Sequence, residues 1–167
     1  MKRRKSLIIY VKRPKECSDS ELENFSALVK KGGQVSERGL GALIKKAHLL
    51  GFGYCEKVLV AIAAIKVPRQ TYKERVFQKA SSEENTGNYV FELGWCYTEP
   101  QYRGQGICQR LIEQLLRQQK EYRKSIFATT VSEAMKIILN KYGFIELGQP
   151  YESSNAKRML TLHVLKK

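Results

Sequence analysis

The stretch from Tyr89 to Ile112, Tyr89-Val-Phe-Glu-Leu-Gly-Trp-Cys-Tyr-Thr-Glu-Pro-Gln-Tyr-Arg-Gly-Gln-Gly-Ile-Cys-Gln-Arg-Leu-Ile, constrains this chain more than any other. Its first ten residues, Tyr89 to Thr98, are rich in β-branched and aromatic side chains and predict a strand. Pro100 stops that strand, because proline has no N–H for a ladder. Gly104 and Gly106 then allow a sharp turn at positive φ. Ile107, Leu111, Ile112, Leu115 and Leu116 follow at helical spacing and form one apolar stripe. A glycine turn that feeds a helix favours anions. The first helical amides have no partner inside the helix, and the dipole adds partial positive charge there. A phosphate or pyrophosphate is the natural guest, and Arg103 adds a formal charge.

Length and composition bound the rest. A chain of 167 residues suggests one domain, 1–167, that buries about 70% of its unfolded surface. No apolar run is long enough to span a membrane, and the apolar run after the basic start ends at Lys12, too early for a signal peptide. Cys17, Cys55, Cys96 and Cys108 lack metal-ligand spacing and read as free thiols in a reducing cytoplasm, while His48 and His163 are too isolated to build a metal site. Net charge is +14, and residues 1–15 hold seven Lys or Arg and no acid, with 1–6 forming a basic N-terminal segment. An acidic partner follows as an expectation: RNA, DNA or an acidic protein surface, beside any anionic cofactor. A solubilising surface is the plainer alternative. Composition leaves monomer and homodimer equally open.

In chain order, Leu7 to Val11 predicts a strand. Ser18, Asp19 or Ser20 caps a helix with Leu22, Phe25, Leu28 and Val29 inward, closed by Gly32-Gly33. Ser36 is expected to cap a second helix, with Leu40, Leu43, Ile44 and Ala47 inward, broken by Gly51-Phe52-Gly53. Tyr54 to Val67 predicts a hairpin turning at Glu56-Lys57. The polar stretch 69–88 reads as a mobile loop with room for a short helix, and is the candidate for substrate contact. Ser125 to Thr130 predicts a strand, Ser132 caps a helix from Glu133 to Tyr142 closed by Gly143, and Phe144 to Leu147 predicts a strand. Gly148-Gln149-Pro150 reads as a turn, and Arg158 to Leu165 as a last strand with His163 on its outer face.

Gln101-x-x-Gly104-x-Gly106 resembles the acetyl-CoA signature (Gln/Arg)-x-x-Gly-x-(Gly/Ala) of the GNAT superfamily of N-acetyltransferases. Pro100-Gln-Tyr-Arg-Gly-Gln-Gly-Ile is close to the commonest form of that motif. The string is not a dinucleotide fingerprint, which would need glycine where Gln109 stands. The resemblance is specific over residues 89–148 and topological before them. It implies an α/β (α+β) fold: a central mixed, mostly antiparallel splayed sheet of about six or seven strands flanked by about four helices. It also implies acetyl-CoA as cosubstrate without a metal. The cofactor-binding residues are then Gln101, Tyr102, Arg103, Gly104, Gln105, Gly106, Ile107 and Cys108 around the pyrophosphate, with the backbone of Cys96, Tyr97 and Thr98 along the pantetheine arm.

Two side chains are candidates for the chemistry. Glu92 matches where some members carry a general-base glutamate, and burial on a sheet would raise its pKa and suit a base acting through water. The alternative is a structural carboxylate. On an ideal strand Glu92 faces away from Phe91, Leu93, Trp95 and Tyr97, unless a bulge near Gly94 shifts the phase. The tyrosine that many members use as general acid is Leu139 here, and Tyr142, one turn later, is either a substitute or a packing residue. Cys96 or Cys108 as an acyl carrier is a lesser alternative. The enzyme implied is an N-acetyltransferase moving acetyl from acetyl-CoA to a primary amine of a protein or of an RNA-borne group. The alternative is a non-catalytic module of this fold that senses acetyl-CoA or binds nucleic acid.

Overall fold

The computed structural model describes residues 6–33, 36–119, 124–154 and 157–167, so the basic residues 1–5 lie outside the described part of the N-terminal segment. Seven strands, β1 (Leu7–Lys12), β2 (Leu49–Cys55), β3 (Val58–Lys66), β4 (Tyr89–Thr98), β5 (Ser125–Thr130), β6 (Ile145–Glu152) and β7 (Met159–Leu165), form one sheet in the order β1-β2-β3-β4-β5-β7-β6. β4 and β5 run parallel, whereas the pairs β1–β2, β2–β3, β5–β7 and β6–β7 are antiparallel. The helices are α1 (Asp19–Gly32), α2 (Leu40–Lys45), α3 (Gln70–Lys79), α4 (Ile107–Gln119) and α5 (Glu133–Lys141). The expected fold class is present with one helix more than anticipated. The chain divides into two compact units, Met1–Lys66 with Trp95–Glu121, and Val67–Gly94 with Tyr122–Lys167.

In the first unit, α1 starts where the sequence places it. Ser18 Oγ accepts from the Glu21 amide at 3.1 Å, and the Glu21 carboxylate accepts from the Ser18 amide at 2.8 Å. This reciprocal cap satisfies two amides that the helix cannot. Gly33, at φ 68°, ends the helix. Phe25, Leu28 and Val29 enter the core, where Phe25 meets Phe52 edge-on at 5.4 Å. Burying each such side chain contributes about 1.5–3 kcal/mol. The second helix departs from expectation: it begins at Leu40 with Gly39 at φ 74° as its cap, not at Ser36. Gly51 and Gly53 do not end a helix either. Both lie inside β2, where a Cβ on Gly51 would come within 3.2 Å of Leu111 and one on Gly53 within 3.4 Å of Ile107. The glycines are there because α4 packs directly on the strand. Glu56 and Lys57, at φ 49° and 69°, make the two-residue turn between β2 and β3 at the expected place.

In the second unit, the helix within residues 69–88 is longer than the short one anticipated, and loop remains only on either side of it. Ten residues form α3, which buries Val76 and Phe77 against Tyr89, Phe127, Leu162 and Val164. Phe77 meets Phe127 edge-on at 5.4 Å. Tyr72, Val76, Phe77 and Ala80 carry a helical stripe that the surrounding charges obscure. Gly148-Gln149-Pro150 is likewise not a turn but an irregularity within β6, where the pairing to β7 slips between Leu147 and Tyr151. Gly148 sits at φ 71°, a Cβ there would lie 2.0 Å from the Ala80 carbonyl oxygen, and the Gln149 amide donates to that oxygen at 2.7 Å. His163 is 4% exposed and hydrogen-bonded to Thr161 Oγ1 at 2.8 Å, so it is interior, not on the surface. Ser132 caps α5 by accepting from the Met135 amide, and Gly143 at φ 86° closes that helix as expected.

Candidate active site

The glycine loop belongs to the first unit. β4 carries Trp95 at φ 50°, a left-handed conformation unusual for a bulky residue, immediately after Gly94. Trp95 is held there by an edge contact to Phe25 at 6.2 Å and by the Lys66 ammonium, 5.2 Å from its ring centre. Cys96, Tyr97 and Thr98 follow, all half-buried. The Glu99 amide then donates to the Val60 carbonyl at 2.8 Å, and Pro100–Tyr102 wind into a single 3-10 turn closed by the Tyr102 amide on the Glu99 carbonyl.

Arg103 is tied back to the strand. Its Nε donates to the Thr98 carbonyl at 2.8 Å, and its guanidinium lies 5.6 Å from the Tyr97 ring centre. The Tyr97 hydroxyl donates weakly to Glu99 at 3.4 Å, and Glu99 is ion-paired with Lys31. Gln105 reaches back to the Gln101 carbonyl at 3.4 Å. Gly104 and Gly106 have φ of 73° and 74°, and a Cβ at either would meet nothing within 4 Å. These positions are glycine for their backbone, and the space before them is open. The first helical bond of α4 runs from the Arg110 amide to the Gly106 carbonyl at 3.1 Å, so the amides of Ile107 and Cys108 precede the ladder. Gln101, Arg103, Gly104, Gln105 and Gly106 are exposed, Tyr102 and Cys108 half-buried, and Ile107 buried. An exposed run of backbone at a helix N-terminus, with a fixed guanidinium beside it, is built to take an anion.

Cys96 and Cys108 come together across this element. The Cys96 thiol hydrogen-bonds to Cys108 and holds its pKa below the ordinary thiol value against the opposing effect of burial. Cys17 and Cys55 are free thiols elsewhere in the same unit. Among the described residues no group of three His, Cys, Asp or Glu is placed to hold a metal ion.

Glu92 belongs to the second unit and is 3% exposed. The Tyr72 hydroxyl, from α3, donates to Glu92 Oε1 at 2.9 Å. Thr129, on β5, hydrogen-bonds to both Tyr72 and Tyr151, the latter on β6. Burial, and then the charge of Glu92, raise the pKa of both phenols, strongly for Tyr72 and to about 12 for Tyr151. Both therefore remain protonated donors at neutral pH. The pairing of β4 with β5 slips by one residue between Tyr89 and Phe91, which turns Tyr89 and Glu92 toward the same helix: Tyr89 meets Phe77 at 5.2 Å, and Glu92 meets Tyr72. Tyr72, Thr129 and Tyr151 were not among the residues singled out from the sequence. Only the stripe Tyr72, Val76, Phe77, Ala80 pointed to the first of them.

Tyr142 is half-buried at the C-cap of α5, with its amide on the Ile138 and Leu139 carbonyls. Leu139 is 0% exposed and its carbonyl also accepts from the Phe144 amide at 3.0 Å. Leu139, where the resemblance anticipates a phenol, is here part of the core.

A model of the acetyltransferase (GNAT) family matches residues 19–144. No curated protein matches the chain in sequence. Among solved structures, Escherichia coli ElaA aligns with a TM-score of 0.71 at 14% identity, over 97% of this chain and 100% of that one. Salmonella typhimurium yncA, solved with its cofactor acetyl-CoA, aligns with a TM-score of 0.65 at 15% identity, over 96% and 94%. The Escherichia coli ribosomal-protein-S18-alanine N-acetyltransferase aligns with a TM-score of 0.64 at 12% identity, over 95% and 93%. With three quarters of its length inside the family model, the chain belongs to the GNAT family of acetyltransferases.

Proposed function

We propose that this acyltransferase moves the acetyl group of acetyl-CoA directly onto a primary amine, with residues 96–108 holding the cosubstrate and Glu92 taking the proton. The amine nitrogen attacks the thioester carbonyl, the C–N bond forms, the C–S bond breaks, and CoA departs as its thiol. The observation that carries this reading is the loop itself. Two glycines at positive φ open a side-chain-free face at the start of α4, with Arg103 fixed beside it. The pyrophosphate is assigned to that face, in contact with the loop amides and the Arg103 guanidinium. The pantetheine arm is assigned to the backbone of Cys96, Tyr97 and Thr98, where an amide also serves the developing oxyanion.

Glu92 is assigned as the base because it is a buried carboxylate on the strand that leads into the loop. Tyr142 is the candidate to return a proton to the departing sulfur. The excess of 30 Lys and Arg over 16 Asp and Glu supports an acceptor carried on an anionic body, RNA or an acidic protein surface, in a reducing cytoplasm.

The test is release of CoA thiol from acetyl-CoA with a panel of amines: peptides with free N-termini, lysine peptides, aminoacyl-tRNA and polyamines. Turnover with one class and not the others names the acceptor. Acetyl-CoA binding without thiol release on any member would replace the enzyme reading with a sensing module.

A further inference from the structure

We propose that Tyr72 is a positioning residue for Glu92, and that α3 exists in this chain to deliver its phenol to that carboxylate. The inference rests on the reading of Glu92 as the base.

Glu92 sits on a strand, but a strand does not fix a carboxylate's rotation. An acid-base group needs its lone pairs aimed, and a buried one needs its charge satisfied. One arrangement of hydroxyl hydrogens aims a donor at Glu92 Oε1. Tyr151 donates to Thr129, Thr129 donates to Tyr72, and Tyr72 donates to Glu92 Oε1 at 2.9 Å. Three hydroxyls in series polarise one another toward the carboxylate. They come from three elements far apart in sequence, β6, β5 and α3, and converge on a fourth.

The helix that carries Tyr72 is anchored as a mount should be. Lys73, the next residue, is buried and donates its ammonium to the Tyr89 carbonyl at 2.9 Å. Gln70 reaches Glu74 at 2.7 Å and Thr86 at 3.3 Å. Val76 and Phe77 pack in the core, and the carbonyl of Ala80, just past the last turn, is held by the Gln149 amide at 2.7 Å. Fixed at both ends and along one face, α3 leaves the Tyr72 ring little freedom. Among the described residues, Tyr72 from α3 and Tyr151 from β6 act on Glu92, while Phe127 from β5 pairs with it and is neutral. Lys73 on α3 is turned to the Tyr89 carbonyl.

A phenol that only packs beside a carboxylate and one that sets its behaviour are separated by Tyr72→Phe, which keeps the ring and removes one donor. With the best amine of the panel, kcat for thiol release should fall about tenfold or more in Tyr72→Phe, while KM for the amine and acetyl-CoA affinity by calorimetry stay at the wild-type values. Thr129→Val, which cuts the series and leaves the Tyr72 ring in place, should lower kcat by less with the same KM and affinity, and stands in if Tyr72→Phe does not fold. In the double variant Tyr72→Phe/Glu92→Gln the rate should equal that of Glu92→Gln alone, since a positioning residue has nothing left to position.

A wild-type kcat in both single variants, or a rise in KM and a loss of affinity as large as the fall in kcat, would overturn the proposal while leaving Glu92 as the base. A Glu92→Gln protein that retains the wild-type rate would overturn the base reading, and Tyr72 with it.

Discussion

The glycine loop and the Glu92 cluster are the two regions to which the proposed chemistry is assigned, and they are made in opposite ways. The loop is contiguous, exposed and made of backbone: Arg103 to Gly106 present amides and open space, and the groups that support them, the Tyr97 ring and the Thr98 and Gln101 carbonyls, lie a few residues away. The cluster is buried, made of side chains, and assembled from residues 72, 92, 129 and 151. Backbone chemistry at a turn is written locally, because it needs only glycine, a helix start and a charge. A buried carboxylate with its donors needs a finished fold. The first kind of site survives wherever the turn forms, and the second fails whenever any of four elements shifts.

The comparison breaks first at Gly106. Gly106→Val puts a β-branched side chain at φ 74° and in the open space before α4. Acetyl-CoA binding should be abolished in calorimetry, with the far-UV spectrum unchanged and the melting point only a few degrees lower. Wild-type binding in that variant would mean that the loop is a mere connection. Next in size is Glu92→Gln. It should lower kcat/KM by roughly 10²–10⁴-fold with acetyl-CoA affinity nearly intact, since the cosubstrate is assigned elsewhere. Loss of cosubstrate binding together with rate would show that the two regions are not separable.

A third substitution tests how far the cluster depends on its scaffold. Gly148→Ala drives a methyl to 2.0 Å from the Ala80 carbonyl at φ 71°, so α3 must be displaced. Strain of this kind costs about 1–3 kcal/mol before the clash is counted. Thermal stability should fall, amide exchange in α3 should speed up, and the rate should drop without any change in acetyl-CoA binding. Equal protection of α3 in variant and wild type would detach the helix from the β6 irregularity.

The smallest effect concerns the thiols. The Cys96 hydrogen bond lowers the pKa of Cys108, whereas burial and then the Glu21 charge raise that of Cys17. The thiolate is the reactive form, so Cys108 should alkylate at lower pH than an ordinary thiol near 8.5 and Cys17 at higher pH. Mass spectrometry of iodoacetamide-treated protein should show a difference of a few-fold at pH 7.5, erased in Cys96→Ala. Acetyl-CoA should protect Cys108 alone.

The same contrast explains what the sequence made legible. β4 and β5 were readable to the residue, from Tyr89 to Thr98 and from Ser125 to Thr130, because proline, glycine and serine punctuate their ends. The caps at Ser18 and Ser132 and the turn at Glu56-Lys57 are equally local. What escaped depended on distant partners. Gly51 and Gly53 look like breakers until α4 is known to lie against them, and Gly148 looks like a turn until Ala80 is known to stand behind it. α3 was hidden among charges such as Lys73, whose ammonium reads as surface until the Tyr89 carbonyl is seen to receive it. His163 was placed outside for the same reason. In the site, the loop residues were found as a string, while Tyr72, Thr129 and Tyr151 had no signature that could join them to Glu92.

Gly51 and Gly53 have one more effect. With no side chains between β2 and α4, Leu111, Leu115 and Ile107 rest on the strand backbone itself. Backbone does not repack as side chains do, so α4 cannot slide or tilt to meet an arriving ligand. The exposed backbone at its N-terminus is held rigidly in consequence. Under the proposed assignment, encounter with a multiply charged cosubstrate is a matter of diffusion and attraction, slowed by added salt and not gated by rearrangement. A change of cosubstrate would then have to be met away from α4, because the proposed phosphate face has no room to adapt.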